Sequence, residues 1–436
     1  MEDFRRIAAS GRPIRLRKSA SNLFRPRPKA RRQFLDLRAF NQVLYVNLDE
    51  GWADVEGTTT YETAVDALLS YQRMPAVVPE LKSITVGGAL SGGGIESSSF
   101  RYGFVHDTVL EFDLLTGTGE CLTCRPDNEH SDLFFGFPCS YGALGYCLRA
   151  RIRIVPTQPY VHLKHRRFRE ITPFFERIEW LCRENRPEGS PLAFIDGAVF
   201  ADGEFIITTG KWAENVLRVS DYTGDNIYHR SLREKGEDWL TVRDYLWRWD
   251  TDWFWCSRAF GAENPILRRL YRRLGLLRST AYWKMRALLQ RSGLLALASR
   301  NVEFVIQDVE IPIEQAPEFL RFMLREIGLL PIWVCPAASP GTGHHFPLYP
   351  TDAQTLYINF GFWGGVPSRR PRGHYDRLVE NKTAELGGKK SLYSSSWFDP
   401  ETFDRLYNES YCRKLKERYD PHNRFPYRYD KCVGKR

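Results

Sequence analysis

A glycine- and serine-rich segment at residues 77–103 carries the strongest chemical signal in this sequence. Its glycines remove side chains, so backbone N–H groups can approach the oxygens of a phosphate, and its serines add hydroxyl donors. We therefore expect a phosphate-containing ligand at this segment, with a glycine-rich turn at a close backbone crossing as the alternative. The residues concerned are Gly87, Gly88, Gly92, Gly93, Gly94, Ser91, Ser97, Ser98 and Ser99.

The order of residues argues against two common phosphate-binding motifs. We expect the glycines to lie between extended segments, whereas the dinucleotide fingerprint opens a helix directly after a strand. The segment does not end in the Gly-Lys-Ser/Thr of a P-loop. A different mode of phosphate binding is therefore expected.

Length and composition indicate a globular protein of two or three domains. The 436 residues are 43% hydrophobic and 26% charged, which is enough to bury large cores. No run approaches the roughly 18 apolar residues of a membrane-spanning helix, and the N-terminus has no signal-peptide core, so we expect an intracellular protein. Nine cysteines, an odd number, favour reduced thiols. Cys121 and Cys124 have no second ligand pair, which favours a strand over a metal site.

Positive charge is concentrated in two blocks. Residues 1–35 contain eleven Lys and Arg and two acidic residues, and residues 264–302 contain nine Lys and Arg and no acidic residue. The rest of the chain carries 42 basic and 51 acidic side chains. Two local basic patches on an otherwise acidic protein argue against general nucleic-acid binding.

The elements expected around the glycine segment form an α+β domain that ends near residue 160. Patterning predicts a hairpin over 42–57, a Thr-capped helix over 58–72, and strands over 108–116 and 147–155. From about residue 166 the sequence becomes rich in Trp and Arg. There it predicts strands over 194–209, 302–311 and 354–361 and an amphipathic helix over 315–327.

Several of these segments together resemble the FAD-binding domain of the vanillyl-alcohol oxidase / p-cresol methylhydroxylase (PCMH) family. RKSASNLFR at 17–25 is similar to the first phosphate loop of that family, and PELKSITVGGALSGGGIESSS at 79–99 to the second. Further similar segments lie at 101–120, 131–156 and 419–426. The resemblance implies an α+β fold with a PCMH-type FAD-binding domain of two α/β subdomains over 1–165. It also implies a mixed α/β substrate (cap) domain over 166–400 and a C-terminal segment, 401–436, that returns to the FAD domain.

The resemblance also implies which residues contact FAD. The pyrophosphate and ribityl contacts fall on two loops, the adenine side falls on SYGALGY, and one residue comes from the C-terminal segment. These residues are Lys18, Ser19, Ala20, Ser21, Asn22, Thr85, Gly87, Gly88, Gly92, Gly94, Ile95, Ser98, Gly142, Gly145 and Asn423. Some relatives attach FAD covalently through a histidine in the first loop. That loop has no histidine here, so we expect non-covalent FAD, with Cys139 as the alternative attachment point or a small packing residue.

Within that family the sequence most resembles the Δ24-sterol reductases, through segments at 85–99, 330–336, 355–364 and 403–432. This implies reduction of an isolated C=C bond in a lipid, with NADPH as the electron source. The sterol enzymes carry an N-terminal membrane helix that this sequence lacks. The first expected substrate is therefore a methylene-branched fatty acyl chain, as in soluble bacterial relatives, and a sterol side chain is the second.

Two other functions stay open at this point. One is a flavin oxidase or dehydrogenase of an alcohol, sugar lactone or hydroxy acid. The other is a non-catalytic lipid- or RNA-binding protein with a vestigial flavin fold.

Asp308 is the first candidate for the proton donor. The segment 303–314 resembles the strand where aldonolactone oxidases of this superfamily place a catalytic glutamate, and Asp308 falls at that position. An acid that faces an apolar pocket has a raised pKa, which suits it to donate a proton. The alternative is a salt-bridged strand carboxylate. Tyr393, His345 and Lys390 are the further candidates.

The segment 264–300 is typical of basic amphipathic helices on an anionic membrane, with Ile266, Leu270 and Leu274 on one face. The alternative is a core helix with a solvated basic face. We expect a lipid substrate, an anionic membrane surface bound through 264–300 and the basic N-terminal arm, and a methyltransferase of the same lipid pathway as partner. We expect no nucleic acid. The expected location is the cytoplasm, at the inner face of the plasma membrane.

Overall fold

Two antiparallel β-sheets organise the chain in the computed structural model. The structure describes residues 4, 12–17, 23–25, 33–184, 191–291 and 301–433. Sheet 1 has six strands from the first part of the chain, and sheet 2 has eight strands that begin at Tyr160. A short parallel pair, Ile14–Arg17 (β1) and Gln33–Asp36 (β2), precedes them.

Sheet 1 has the strand order β3-β4-β8-β6-β7, with β5 paired to β8. Its strands are Val43–Asn47 (β3), Trp52–Glu56 (β4), Arg73–Pro75 (β5), Val109–Leu115 (β6), Cys121–Cys124 (β7) and Tyr146–Pro156 (β8). The predicted hairpin over 42–57 and the strands over 108–116 and 147–155 are confirmed. Cys121 and Cys124 lie in a strand, as the sequence predicted.

The first helix, Tyr61–Leu69 (α1), begins at a threonine cap, because Thr60 Oγ1 accepts the N–H of Thr63 at 3.2 Å. The predicted Thr-capped helix is thereby confirmed. The other helices of this part are Val86–Gly92 (α2), Ser99–Tyr102 (α3) and Ser131–Gly136 (α4), with a 3₁₀ turn at Val105–Thr108.

The glycine segment folds differently from the sequence-based expectation. Residues Val86–Gly92 form α2, whereas the sequence predicted extended chain around these glycines. Thr85 caps α2 by accepting the N–H of Gly88 at 3.2 Å, and Val86 and Leu90 are fully buried. The cap and this burial outweigh the helix propensity of glycine, which is about 1 kcal/mol per residue poorer than that of alanine. The expectation of glycines between extended segments was therefore wrong.

Sheet 2 has the strand order β12-β9-β11-β10-β14-β15-β13-β16. Its strands are Tyr160–Phe168 (β9), Phe194–Ala201 (β10), Glu204–Ala213 (β11), Glu237–Thr241 (β12), Val302–Pro312 (β13), Ile332–Ala338 (β14), Leu356–Pro367 (β15) and Lys389–Lys390 (β16). The strands predicted over 302–311 and 354–361 are confirmed, and the segment predicted over 194–209 is a hairpin of two strands. The pairing of β13 with β15 is the longest register in this sheet, running from Val302 to Pro312.

The helices of this second part are Ile171–Glu184 (α5), Tyr228–Glu234 (α6), Val242–Leu246 (α7), Pro265–Arg273 (α8), Ser279–Arg291 (α9), Ala316–Phe322 (α10) and His374–Glu385 (α11). The predicted amphipathic helix over 315–327 is confirmed: α10 continues as a π-helix, and Phe319, Met323 and Ile327 are buried. Phe319 packs on Phe360 of β15 with ring centroids 4.8 Å apart. Within the described ranges, no helix combines the length and the hydropathy of a membrane span.

The C-terminal helices, Pro400–Tyr407 (α12), Glu409–Tyr419 (α13) and Arg428–Cys432 (α14), contact the segment between β7 and β8. Tyr419 donates its hydroxyl to Asp132 Oδ1 at 2.9 Å. Lys431 Nζ donates to the carbonyl of Gly142 at 2.8 Å. These contacts fix the loop that carries Gly142 and Gly145, one wall of the cavity described next.

Candidate active site

A cavity of about 1420 Å³ lies between the glycine segment and sheet 2. The glycine segment and the 141–147 loop form one wall, and strands β13 and β15 with helix α9 form the opposite wall. Pockets for one small ligand measure about 300–1000 Å³. The cavity therefore has room for a cofactor and a substrate together.

Two glycines of the first wall, Gly87 and Gly94, pack so closely against neighbouring atoms that a Cβ would not fit. A Cβ on Gly87 would lie 2.8 Å from the carbonyl oxygen of Gly57, and one on Gly94 would lie 2.9 Å from Pro79 Cγ. On Gly92 a Cβ would meet only the ring of Tyr141, at 3.6 Å, so this position is open to the cavity. The glycines thus bring backbone close to the cavity, which a phosphate-bearing ligand needs.

The structure places most of the predicted cofactor residues on this wall. Those that line the cavity are Thr85, Gly87, Gly88, Gly92, Gly94, Ile95, Gly142 and Gly145. Lys18, Ser19, Ala20, Ser21 and Asn22 lie outside the described residues.

Two predicted cofactor residues, Ser98 and Asn423, are not among the residues that line the cavity. Ser98 is 2% exposed, and its hydroxyl donates to the carbonyl of Ala76 at 2.8 Å. Asn423 is exposed in a turn, where its N–H bonds to the carbonyl of Asp420 at 2.9 Å. The Ser98 hydroxyl therefore serves the local fold, and the backbone of Asn423 closes a turn.

Cys139, the alternative site of covalent attachment, is buried and is not part of the cavity lining. Burial raises the pKa of its thiol, which lowers the fraction of reactive thiolate. Its position favours the packing role.

An aromatic wall faces the second half of the cavity. The Phe24 ring lies 4.8 Å from Trp283 and 6.0 Å from Tyr393, measured between ring centroids. Phe254 lies 4.5 Å from Trp363. The aromatic residues that line the cavity here are Phe24, Trp253, Phe254, Phe260, Trp283, Phe304, Trp333, Trp363 and Tyr393. Such a surface suits an apolar ligand with few polar groups.

Strand β13 brings two carboxyl groups to the same cavity. Side chains of a strand alternate between its faces, and Phe304, Ile306, Asp308 and Glu310 all line the cavity. Val305, Val309 and Ile311 on the other face join the hydrophobic core behind the sheet. The cavity face of β13 thus presents two apolar side chains, Phe304 and Ile306, followed by two acidic ones, Asp308 and Glu310.

Asp308 is held by hydrogen bonds on both carboxyl oxygens. Asn359 Nδ2 donates to Oδ1 at 2.9 Å, and the Tyr393 hydroxyl donates to Oδ2 at 2.7 Å. The Tyr393 oxygen in turn accepts from Trp363 Nε1 at 2.8 Å. Tyr393, one of the further catalytic candidates, therefore belongs to the same hydrogen-bonded cluster as Asp308.

Burial makes both acids weaker than usual. It raises the pKa of Asp308 from 3.8 to about 6, against the opposing hydrogen bonds from Asn359 and Tyr393. It also raises the pKa of Glu310 to about 8, and the nearby charge of Asp308 adds to this while a hydrogen bond from Tyr349 opposes it. Acids with pKa values in this range can hold and release protons near neutral pH.

Gly361 leaves the space that Asp308 occupies. The two residues are direct partners in the register of β13 and β15. A Cβ on Gly361 would lie 2.6 Å from Asp308 Oδ1, closer than real Cβ contacts allow. The position of the carboxyl group therefore depends on this glycine.

The remaining two catalytic candidates lie away from the cavity. Lys390 is fully buried, and its Nζ donates to Glu380 Oε1 at 2.7 Å and to the carbonyl of Ser395. His345 is exposed in the loop after β14. Neither is part of the cavity lining, so the structure gives them no contact with a bound ligand there.

A buried cluster of charges connects the two walls. Arg248 donates to Glu80 at 3.0 Å, to Glu96 at 2.7 Å and to Asp196 at 2.8 Å. Glu96 follows the last cavity-lining glycine of the segment, Gly94, by two residues, and Asp196 lies in β10 and accepts from Trp333 Nε1 at 3.3 Å. The cluster fixes the glycine wall relative to sheet 2.

Sequence reasoning missed Glu310 and Arg248. The period-two pattern of β13 was a usable signal for Glu310, because Asp308 and Glu310 must share a face. No local signal identifies Arg248, since its partners are 52 to 168 residues away.

Comparisons with known proteins agree with this geometry. A model of a FAD binding domain matches residues 4–125. The Delta(24)-sterol reductase of Rattus norvegicus is 28% identical over 385 residues, which are 81% of this chain and 69% of that protein. The Homo sapiens Delta(24)-sterol reductase is 27% identical over 418 residues, 89% of this chain and 75% of that protein. Cytokinin dehydrogenase 3 of Arabidopsis thaliana is 31% identical over 189 residues, 41% of this chain and 31% of that protein.

Proposed function

We propose that this chain, a FAD-dependent oxidoreductase similar to the Delta(24)-sterol reductases, reduces an isolated C=C bond in a lipid. The observation that carries the proposal is the cavity itself. It combines a glycine wall, an aromatic wall and a weakly acidic carboxyl group in one space. An alkene in an apolar chain needs these three things: a bound hydride carrier, an apolar surface and a proton source.

The residues of the glycine wall fit FAD. The close contacts behind Gly87 and Gly94 and the open space in front of Gly92 bring backbone to the cavity without side chains in the way. Gly142 and Gly145 flank this wall on the 141–147 loop. Bound there, FAD supplies a carrier that accepts and transfers a hydride through its N5. We propose that it is held without a covalent bond, and that NADPH supplies the electrons.

The aromatic wall favours a lipid over a sugar lactone or a hydroxy acid. Trp283, Trp363 and Phe254 offer broad apolar faces, whereas a polyol needs several polar anchors. Asp308 and Glu310 lie at the edge of this surface and are themselves engaged by hydrogen bonds. We propose a methylene-branched fatty acyl chain as the first substrate and a sterol side chain as the second.

Asp308 is the proposed proton donor. An acid with a pKa of about 6 is protonated in roughly one molecule in ten at pH 7, and this fraction holds a proton that the carboxyl group can donate. Asn359 and Tyr393 fix the orientation of the carboxyl group, and Trp363 fixes Tyr393. The chain thus positions a proton on the aromatic side of the cavity.

Mass spectrometry of the lipid product tests this proposal. The purified holoenzyme is incubated with NADPH and vesicles that contain a methylene-branched acyl chain, and the lipids are extracted. We expect a product heavier by two hydrogens, formed only with both NADPH and enzyme. A protein that leaves these lipids and sterol alkenes unchanged, but oxidises a hydroxy acid or sugar lactone, would instead be an oxidase or dehydrogenase.

We further propose that α8 and α9 contact an anionic membrane. Ile266 is 76% exposed and Leu274 is 60% exposed, and exposed arginines flank them on α8. Arg268 points inward instead and pairs with Asp252. Each basic residue near an anionic surface contributes about 1 kcal/mol, and salt screens it. Flotation with anionic vesicles, but not with neutral ones or in high salt, is the expected result. Equal flotation with both would contradict electrostatic docking.

A further inference from the structure

Arg286 of α9 lines the cavity in an unusual environment. Its guanidinium carbon lies 5.1 Å from the centroid of the Phe24 ring, 5.9 Å from Trp283 and 5.8 Å from Phe304. Burial lowers the pKa of Arg286 below its usual range. Among the described residues, no carboxylate lies within ion-pair distance of it. A desolvated cation is normally paired, and contacts with ring faces compensate for only part of the cost.

The other charges of the cavity do not neutralise Arg286. Glu62 pairs with Lys82 and Arg278, and Glu80 and Glu96 pair with Arg248. Asp308 and Glu310 form hydrogen bonds with residues of sheet 2 and its loops. These five carboxylates of the lining are therefore engaged with other residues, and no ion pair joins Arg286 to Asp430, the remaining lining carboxylate among the described residues.

Two further cations, both exposed, line the same cavity. Lys284 lines it and has no ion pair in the described part of the chain. Arg258 also lines it, and its Nη2 donates to the carbonyl of Leu330 at 2.9 Å. Both Arg258 and Arg286 act electrostatically on the thiol of Cys256, which places them in one neighbourhood. The cavity lining therefore contains positive charge that no carboxylate pairs with among the described residues.

The geometry of β13 separates these cations from the proposed proton donor. Arg286 contacts Phe304, and Asp308 follows four residues later on the same face of the strand. At about 3.3 Å per residue, the backbones of Phe304 and Asp308 are about 13 Å apart along the strand. The aromatic wall lies between the two ends.

We propose that Arg286, Lys284 and Arg258 form an anion site that binds the phosphate or carboxylate head of an acyl lipid. The apolar chain then lies along the aromatic wall toward Asp308. This inference rests on the proposed function, because it identifies the class of lipid: an amphiphile with an anionic head and an apolar chain. A neutral sterol would not use this site.

Binding of dodecyl phosphate tests the site without any turnover. Calorimetric titration of the holoenzyme compares dodecyl phosphate with dodecanol, which has the same chain and no charge, below the micelle concentration of the phosphate. We expect wild type to prefer dodecyl phosphate. Arg286→Met should weaken its binding by about tenfold or more, because a charge-assisted hydrogen bond is lost, and should leave dodecanol binding within about twofold. Arg286→Lys should retain most of the preference.

Arg291→Ala is the matched control, because Arg291 is an exposed cation on the same helix outside the cavity lining. It should bind dodecyl phosphate like wild type. An equal loss in this variant would mean that bulk charge, and not the anion site, sets the affinity. Flavin absorbance and a melting curve check that each variant is folded. If Arg286→Met does not fold, the preference of wild type and the behaviour of Arg286→Lys decide.

A second arm separates the lipid head from the phosphates of NADPH. The rate at which NADPH bleaches the flavin is measured over a range of NADPH concentrations. For a lipid-head site, Arg286→Met leaves the NADPH dependence unchanged. A raised half-saturating NADPH concentration with unchanged dodecyl phosphate binding would assign Arg286 to the electron donor and overturn the inference. Absence of any preference for dodecyl phosphate in wild type would also overturn it, whereas absence of lipid reduction contradicts the proposed function instead.

Discussion

Replacing Asp308 with asparagine removes the titrating proton and keeps the shape of the side chain. An amide can still accept one of the two hydrogen bonds from Asn359 and Tyr393. Because Asp308 lines the opposite side of the cavity from the glycine wall, FAD binding should persist. The variant therefore isolates the chemical role of the carboxyl group.

The expected loss is large and depends on pH. General acid catalysis contributes about 10²–10⁴-fold, so flavin re-oxidation by lipid should slow by that factor in Asp308→Asn. In wild type the protonated fraction falls as pH rises through about 6, and the rate of re-oxidation should fall about tenfold for each pH unit above it. In the variant this part of the pH profile should be flat.

The same substitution should stabilise the fold at high pH. Asp308 loses its proton near pH 4 in the unfolded chain and near pH 6 in the folded protein, so raising the pH through this window favours unfolding. A difference of about 2 pKa units corresponds to about 3 kcal/mol, from which a lost hydrogen bond subtracts about 1 kcal/mol. At pH 8 the variant should be more stable by about 2 kcal/mol, with no such gain at pH 4.

The assay is stopped-flow absorbance on enzyme that NADPH has reduced anaerobically and that is then mixed with lipid vesicles. Urea unfolding at pH 4 and pH 8 gives the stability difference. Unchanged re-oxidation in Asp308→Asn, or a loss that is independent of pH, would refute the role of Asp308 as proton donor. Destabilisation at pH 8 would refute the assignment of its raised pKa to burial.

Three further substitutions test how the site is built. Gly361→Ala places a Cβ 2.6 Å from Asp308 Oδ1, and it should slow flavin re-oxidation at least tenfold with FAD still bound. Gly236→Ala is the control, because its new Cβ meets nothing within 4 Å. Gly87→Ala places a Cβ 2.8 Å from a backbone oxygen and should lower the flavin content of the purified protein, measured by absorbance. Arg248→Met leaves buried carboxylates unpaired and should cost about 3–5 kcal/mol in urea unfolding; a cost below 1 kcal/mol would contradict its linking role.

Local patterns in the sequence were sufficient for much of the fold. Threonine capping placed α1, and alternating apolar residues placed β13 and β15, because these signals act within a few residues. The sequence did not predict helix α2 in the glycine segment, because this helix is stabilised by contacts with Gly57 and Cys147, which are distant in sequence. Tertiary packing there overrides propensity.

In the candidate site, too, some residues could be identified from local motifs, whereas the roles of others depend on long-range packing. The glycines of the cofactor wall and Asp308 were accessible from motifs, since their residue types are tied to a local chemical need. Ser98 and Lys390 were also candidates, but each bonds a partner in the fold, the carbonyl of Ala76 and the carboxylate of Glu380 respectively. Whether a polar side chain faces a ligand or the fold is decided by long-range packing, which a single sequence does not display.

Anaerobic absorbance spectroscopy of the purified holoenzyme between 300 and 550 nm tests most directly whether the flavin carries electrons from NADPH to a lipid. NADPH is added first, and then vesicles that carry a methylene-branched acyl lipid. We expect NADPH to bleach the flavin absorbance and the lipid to restore it, with a reduced acyl chain as the product. A flavin that NADPH does not bleach, but that a hydroxy acid or sugar lactone does, would contradict it.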